Sequence, residues 1–229
     1  MYLSKKLYFC GSKNIQMHFL SSELEQYVEN HSSAEPELLQ ELSRETHLKV
    51  LQPRMLSGHF QGRVLSVLSK MISPKFILEI GTFTGYATLC LAEGLSSDGI
   101  LHTIDVNEEL AEIQDKYFEK SPFRSQIVQH IGHALDIIPT LPDGIDMVFI
   151  DADKKNYPNY FDAVITKMKK GGIILSDNVL WSGKILEEVK NNDKHTQILL
   201  EYNKKINTDP RVESVLLPIR DGLTISRVK

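Results

Sequence analysis

From residue 76 onward the chain alternates short apolar runs with stretches of helical spacing, and no other feature limits its fold as tightly. Runs at 76–80, 100–104, 127–131, 147–150 and 172–175 have strand length, and helix-like stretches at 86–95, 108–120, 134–141 and 157–168 separate them. Strands that are continuously apolar and divided by helices predict a parallel sheet covered on both faces. Two closing runs, 212–218 and 223–228, are joined through Arg220-Asp221-Gly222, a tight-turn sequence. They predict a hairpin that adds an antiparallel strand. Helices at 23–30, 36–49, 58–71 and 195–208 complete the pattern. The expectation is an α/β, doubly wound fold with a mostly parallel, seven-stranded sheet, an antiparallel C-terminal hairpin strand and extra N-terminal helices. With 229 residues available, we expect residues 1–22 as an N-terminal arm and 23–229 as a single domain.

In such a sheet ligands bind outside the carboxyl ends of the strands, so the residues there carry the chemistry. The first strand ends in Glu79-Ile80-Gly81-Thr82-Phe83-Thr84-Gly85. Gly81 and Gly85 let the backbone turn tightly and approach a ligand. A dinucleotide-binding G-x-G-x-x-G is absent, and Glu79 would oppose a pyrophosphate while suiting an ammonium or sulfonium. Asp105 ends the second run, where a carboxylate can accept from both ribose hydroxyls. Each residue alone reads equally as a strand-to-helix turn or a helix cap. Together they favour S-adenosylmethionine over a dinucleotide.

A second set lies further along. Asp151 ends the fourth run and Asp177 the fifth, with Asn178 beside it. If those strands are neighbours, three oxygen-bearing side chains converge, a set suited to Mg²⁺, Mn²⁺ or Ca²⁺ rather than zinc. The alternative for Asp177-Asn178 is a capped turn. Lys154 stands three residues after Asp151. It reads either as a solvated charge, as Lys155 does, or as the amine that takes a proton from an activated hydroxyl.

Composition narrows the partners. The formal net charge of -4 disfavours a protein that holds nucleic acid through phosphates. The two cysteines, Cys10 and Cys90, lack metal-type spacing, so a reducing cytoplasm is expected and a disulfide framework is not. Lys5, Lys6 and the short apolar stretch after them are too brief for a secretory leader, and no run is long enough to span a membrane.

Residues 78–86 (LEIGTFTGY), 149–157 (FIDADKKNY), 171–183 (GGIILSDNVLWSG), 209–213 (DPRVE) and 217–226 (LPIRDGLTIS) occur in an order that resembles the cation-dependent class I O-methyltransferases. The likeness is to the caffeoyl-CoA and catechol enzymes, closer to the former and its bacterial relatives, and runs over residues 23–229. It implies a Rossmann-like methyltransferase fold, S-adenosylmethionine as cofactor and a divalent cation held by Asp151, Asp177 and Asn178. It also implies Lys154 as base, with Asp151 shared between cation and cofactor. Cofactor contacts are implied for Met55, Ser57, Glu79, Gly81, Phe83, Asp105, Ala134 and Asp153. Ala87 stands at the cofactor's amino-acid end, where the family often has Ser. Trp181 is implied on the substrate side, against the alternative of an aromatic packed under a loop. A small phenolic acceptor and a homodimer follow as expectations. Two other readings compete: methylation of a hydroxylated uridine in tRNA, which the net charge disfavours without excluding it, and a noncatalytic cofactor-binding module. The presence of Asp151, Lys154, Asp177 and Asn178 speaks against the module. Arg54, Lys13 and the N-terminal helices are candidates for shaping the acceptor pocket. His31, His47, His102 and His195 read as surface or packing residues; His130 and His133 sit around the third run, and at most His133 lines an adenine pocket, through its backbone.

Overall fold

The computed structural model describes residues 21–229. Most of the expected arm, with Cys10 and Lys13, therefore lies outside the described residues. Its last two positions belong to the first helix, α1 (Ser22–Asn30), where the Ser21 hydroxyl caps the helix by accepting from the Leu24 N–H at 3.3 Å.

Seven strands form one sheet: β1 (Phe76–Ile80), β2 (Ile100–Asp105), β3 (Ile127–Ile131), β4 (Ile145–Ile150), β5 (Met168–Asp177), β6 (Val212–Leu217) and β7 (Leu223–Val228). Their spatial order is β3-β2-β1-β4-β5-β7-β6. The first five pair in parallel, and β7 runs antiparallel to both β5 and β6. The sheet is mixed through its closing hairpin, as expected. Strand periodicity sends Ile77, Met147, Phe149 and Leu175 to one face, against α2 (Glu37–Lys49), α3 (Gly58–Ile72), α4 (Tyr86–Ala92) and α5 (Ala111–Lys120). Leu78, Ile80, Val148, Ile150 and Ile174 face the other way, against α6 (Ala134–Ile137), α7 (Tyr157–Ile165) and α8 (Lys194–Thr208). Two buried clusters on opposite faces explain why the strands read as unbroken apolar runs.

The N-terminal helices are laid on the first face and seated tightly. A Cβ at Gly62 of α3 would lie 2.7 Å from the Tyr86 ring and 2.8 Å from Cys90 Sγ of α4, so glycine sets how closely these helices approach. α3 stops where Ser73 turns left-handed at φ 50° ahead of Pro74, which cannot continue a helix.

Several boundaries differ from expectation, two of them at helix ends. The stretch expected as one helix over 157–168 ends at Ile165, and Met168 already pairs with Ile145 at the start of β5. Lys169, Lys170 and Gly171 are polar, and both lysines are exposed, so the first half of this strand carries no apolar signal. The helix expected over 86–95 ends at Ala92. Among the described residues no helix is long and apolar enough to cross a membrane.

Candidate active site

The order β2-β1-β4 places the chain's reversal of direction between β1 and β4, and a crevice opens beyond their carboxyl ends. Gly81 makes the close approach there feasible. It has φ 102°, and a Cβ would fall 1.9 Å from the Asp151 carbonyl oxygen. The strand ends are stitched by the Asp151 N–H donating to Ile80 O at 2.9 Å and the Gly81 N–H donating to Ile104 O at 2.9 Å.

The resulting cleft has a volume of about 1710 Å³. Met55, Ser57, Gly81, Phe83, Asp105 and Ala134 border it, as do Asp151, Asp153, Lys154, Asp177, Asn178 and Trp181. Twelve of the fourteen residues singled out in the sequence are thus drawn to one place, from elements spread over more than a hundred residues. Glu79 and Ala87 are not on its wall. Strand alternation turns Glu79 away from the crevice and under α4, where it is fully buried. The Thr103 hydroxyl donates to its Oε2 at 2.6 Å and the Thr88 hydroxyl donates to the same oxygen, leaving Oε1 without a partner. Burial raises the carboxyl to about 8 against the lowering effect of the two threonines. Ala87 is buried with its neighbours on α4.

Asp105 is held rigidly. Its Oδ2 accepts from the Phe83 N–H at 2.7 Å and its Oδ1 from the Asn107 N–H at 2.8 Å. Each carboxylate oxygen keeps a second acceptor direction for a ligand. Phe83 is in turn fixed by Gln114, whose amide donates to its carbonyl at 2.6 Å. Asp153 accepts from the Tyr160 hydroxyl and, at 2.8 Å, from the Asn156 amide.

The oxygen-rich corner is built around Lys154, which is 8% exposed. Its Nζ lies 3.5 Å from Asp151 Oδ1, 3.0 Å from Asn178 Oδ1 and 3.5 Å from the Asp177 carbonyl oxygen. Oxygens from residues 151, 177 and 178 therefore surround a single positive charge. Lys154 also donates to the Tyr157 hydroxyl, which donates to Asp177 O at 2.9 Å and approaches Ile150 O at 3.3 Å. Tyr157 thus ties the ends of β4 and β5 together beneath the site. Asp177 is 3% exposed. Its Oδ2 accepts from the Gln61 amide at 2.6 Å, while its Oδ1 is buried with no partner. Burial first, then the nearby Asp151 charge, lifts this carboxyl well above the usual carboxylate range; Gln61 and Lys154 pull the other way. Leaving such an oxygen unanswered costs about 1–3 kcal/mol, so its presence at the cleft is informative.

An all-oxygen set of Asp151, Asp177 and Asn178 fits a hard divalent cation, and the partnerless Oδ1 supplies a free donor for one. Among the described residues no group of three or more His, Cys, Asp or Glu could hold an ion. A cation here must draw on the carboxamide together with the two carboxylates.

Around the other rim, Trp181 and Ser182 adopt left-handed φ values of 49° and 51°, conformations costly for residues with side chains. The Trp181 ring packs partly against the apolar cluster and meets His195 edge-on at 6.3 Å between centroids. His195, expected as a surface or packing residue, therefore also borders the cleft, and Arg54 borders it too. His130 does not; its Nε2 pairs with His102 Nδ1 at 2.9 Å. Gln61 and Tyr157 were missed as site residues. Gln61 gave no signal, being 116 positions from its partner, while Tyr157 stood three residues after Lys154 at the head of a helix and could have been weighed.

Similarity to known proteins agrees with this geometry. Residues 29–229 match the family described as O-methyltransferase. Caffeoyl-CoA O-methyltransferase 2 of Petunia hybrida is 37% identical over 220 residues, covering 90% of each chain. Among solved structures, the O-methyltransferase from Bacillus cereus in complex with SAH superposes with TM-score 0.83 at 30% identity, covering 90% of this chain and 97% of that one. TomG from Streptomyces achromogenes, an O-methyltransferase involved in tomaymycin synthesis and solved with SAM, gives TM-score 0.82 at 28% identity, covering 90% of this chain and 96% of that one. The chain is therefore a member of the O-methyltransferase family, the S-adenosylmethionine-dependent class I group that includes the caffeoyl-CoA enzymes.

Proposed function

We propose that this protein transfers the methyl group of S-adenosylmethionine to one hydroxyl of a small aromatic acceptor bearing two neighbouring hydroxyls, catechol- or caffeoyl-like, with a divalent cation (Mg²⁺, Mn²⁺ or Ca²⁺) in the site. The observation that carries this reading is the buried, partnerless Asp177 Oδ1 beside Asp151, Asn178 and Lys154. Asp151, Asp177 and Asn178 would hold the cation. When bound, it supplies positive charge that lowers the pKa of a nearby acceptor hydroxyl. Two adjacent acceptor oxygens suit such a site better than one.

The chain's own residues do the rest. Asp105 would accept from the cofactor's ribose hydroxyls, and the turn of Gly81 and Phe83 would hold its amino-acid end. Met55, Ser57, Ala134 and Asp153 complete its pocket, with Asp151 at the boundary between cofactor and acceptor. Glu79 and Ala87 stand behind the wall and make no direct contact with the pocket. Lys154 would take the acceptor's hydroxyl proton at Nζ, oriented by Tyr157 and Asn178. Bound S-adenosylmethionine would supply the methyl on its sulfonium, so that a C–O bond to the acceptor would form as the C–S bond breaks and its electron pair stays on sulfur. Positioning supplies most of the acceleration. Trp181 covers the acceptor ring. We further take residues 23–229 as one domain acting as a homodimer in the cytoplasm, with light scattering expected to give twice the chain mass.

The test is an acceptor screen with S-adenosylmethionine. It compares catechols, caffeoyl thioesters and hypomodified tRNA, with and without a chelator. Methylation of at least one vicinal diol, lost on chelation, is expected. Undiminished turnover after chelation rejects the cation, and activity on tRNA alone rejects the acceptor class.

A further inference from the structure

The helix α3 contributes a residue to this site that its sequence position gave no reason to suspect. Gln61 lies one helical turn beyond Ser57 and Gly58, which border the cleft, and is 1% exposed. Its Nε2 donates to Asp177 Oδ2 at 2.6 Å across the domain. The other oxygen of the same carboxylate, Oδ1, is the buried one without a partner. A carboxylate pinned at one oxygen has its plane and its free oxygen fixed. An amide is the fitting donor for this task. It carries no charge to compete with an incoming cation.

We infer that Gln61 is a positioning residue for Asp177: it locks Oδ2 so that Oδ1 is presented to the cation, and so sets the protein's affinity for it. The inference rests on the proposed cation site. It gives α3 a double duty, because the same helix begins at the cofactor side of the cleft with Ser57 and then braces the cation side through Gln61. Partners that hold a metal ligand in place typically account for about 10–100-fold in affinity. That is the scale of effect expected here.

The experiment is calorimetric titration of Mn²⁺ into the full chain, with no acceptor present. Wild type is compared with Gln61→Met, which keeps the volume and removes the donor, and with Gln61→Glu, which keeps the shape but sets an acceptor against Asp177. S-adenosylhomocysteine affinity and the unfolding midpoint are measured alongside. Both variants are expected to bind Mn²⁺ at least tenfold more weakly while holding S-adenosylhomocysteine within about twofold of wild type. Should Gln61→Met fail to fold, the same loss in Gln61→Glu still supports the assignment. Wild-type Mn²⁺ affinity in a folded variant overturns the role of Gln61 alone. Parallel loss of both ligands and of the unfolding midpoint also overturns it, since Gln61 is then a packing residue. Absence of Mn²⁺ binding by the wild type overturns the cation site itself and the inference with it.

Discussion

At the scale of single residues, Gly81 is where backbone geometry and chemistry meet. With φ at 102° and the Asp151 carbonyl oxygen 1.9 Å from where a Cβ would stand, Gly81→Ala must push β1 and β4 apart or strain the turn. Both responses move Asp151. We expect a loss of about 3 kcal/mol or more in urea unfolding, together with weakened S-adenosylhomocysteine binding. A variant within about 0.5 kcal/mol of wild type would show that the turn relaxes freely. Asp105, Asp151, Asp177 and Asn178 were legible in the sequence because strand ends in a parallel sheet converge, and an acid there has little packing use. Glu79 was legible as unusual but not in its direction. Period-two alternation sends it beneath α4 to Thr88 and Thr103, and its influence on the cleft passes through the wall. Gln61 was not legible. Nothing local to α3 reports a hydrogen bond to the end of β5.

At the scale of elements, the joint between α3 and α4 is an ion cluster rather than an apolar seam alone. Arg63 donates to Glu93 at 2.7 Å and 3.1 Å, Lys70 donates at 2.7 Å and Ser66 at 2.7 Å. Burial pushes the Glu93 carboxyl up, but these donors outweigh it and hold it at about 2. A carboxylate depressed below its ordinary range stabilises the fold at pH values above that range, and the contribution disappears as pH falls toward about 2. Glu93→Gln should therefore cost about 1–3 kcal/mol at pH 7, the upper part discounted because Lys70 is half in solvent. The same variant should lose most of its deficit near pH 2, where Glu93 is protonated in the unfolded chain and about half protonated in the folded one. Urea unfolding at the two pH values checks this, and an equal deficit at both would mean shape rather than charge is responsible. Element boundaries were less legible than their order. The first half of β5 carries Lys169, Lys170 and Gly171 and was hidden, because an exposed strand need not be apolar.

At the scale of the whole molecule, the alternation of runs fixed the class of architecture, and parallel pairing with right-handed crossovers left few arrangements of the strands. The order β3-β2-β1-β4-β5-β7-β6 then places four separate strand ends, those of β1, β2, β4 and β5, around one cleft. Two layers of helices on opposite faces hold the sheet while leaving its carboxyl edge open. That division of labour lets the closing hairpin serve the site as well. The Arg220 guanidinium reaches back to the Leu56 carbonyl at 3.1 Å, tying the β6–β7 turn to the loop that carries Met55 and Ser57. What the sequence could not convey at this scale is enclosure: the rim formed by Trp181, His195 and Arg54 depends on contacts between elements that no local pattern records.

The most direct measurement is anomalous diffraction from crystals grown with Mn²⁺ and S-adenosylhomocysteine. A single strong peak is expected among the side-chain oxygens of Asp151, Asp177 and Asn178, with Asp177 contributing Oδ1 and Gln61 still on Oδ2. A map with no manganese there, or with the ion held by other residues while the cofactor sits in the cleft, would contradict the site.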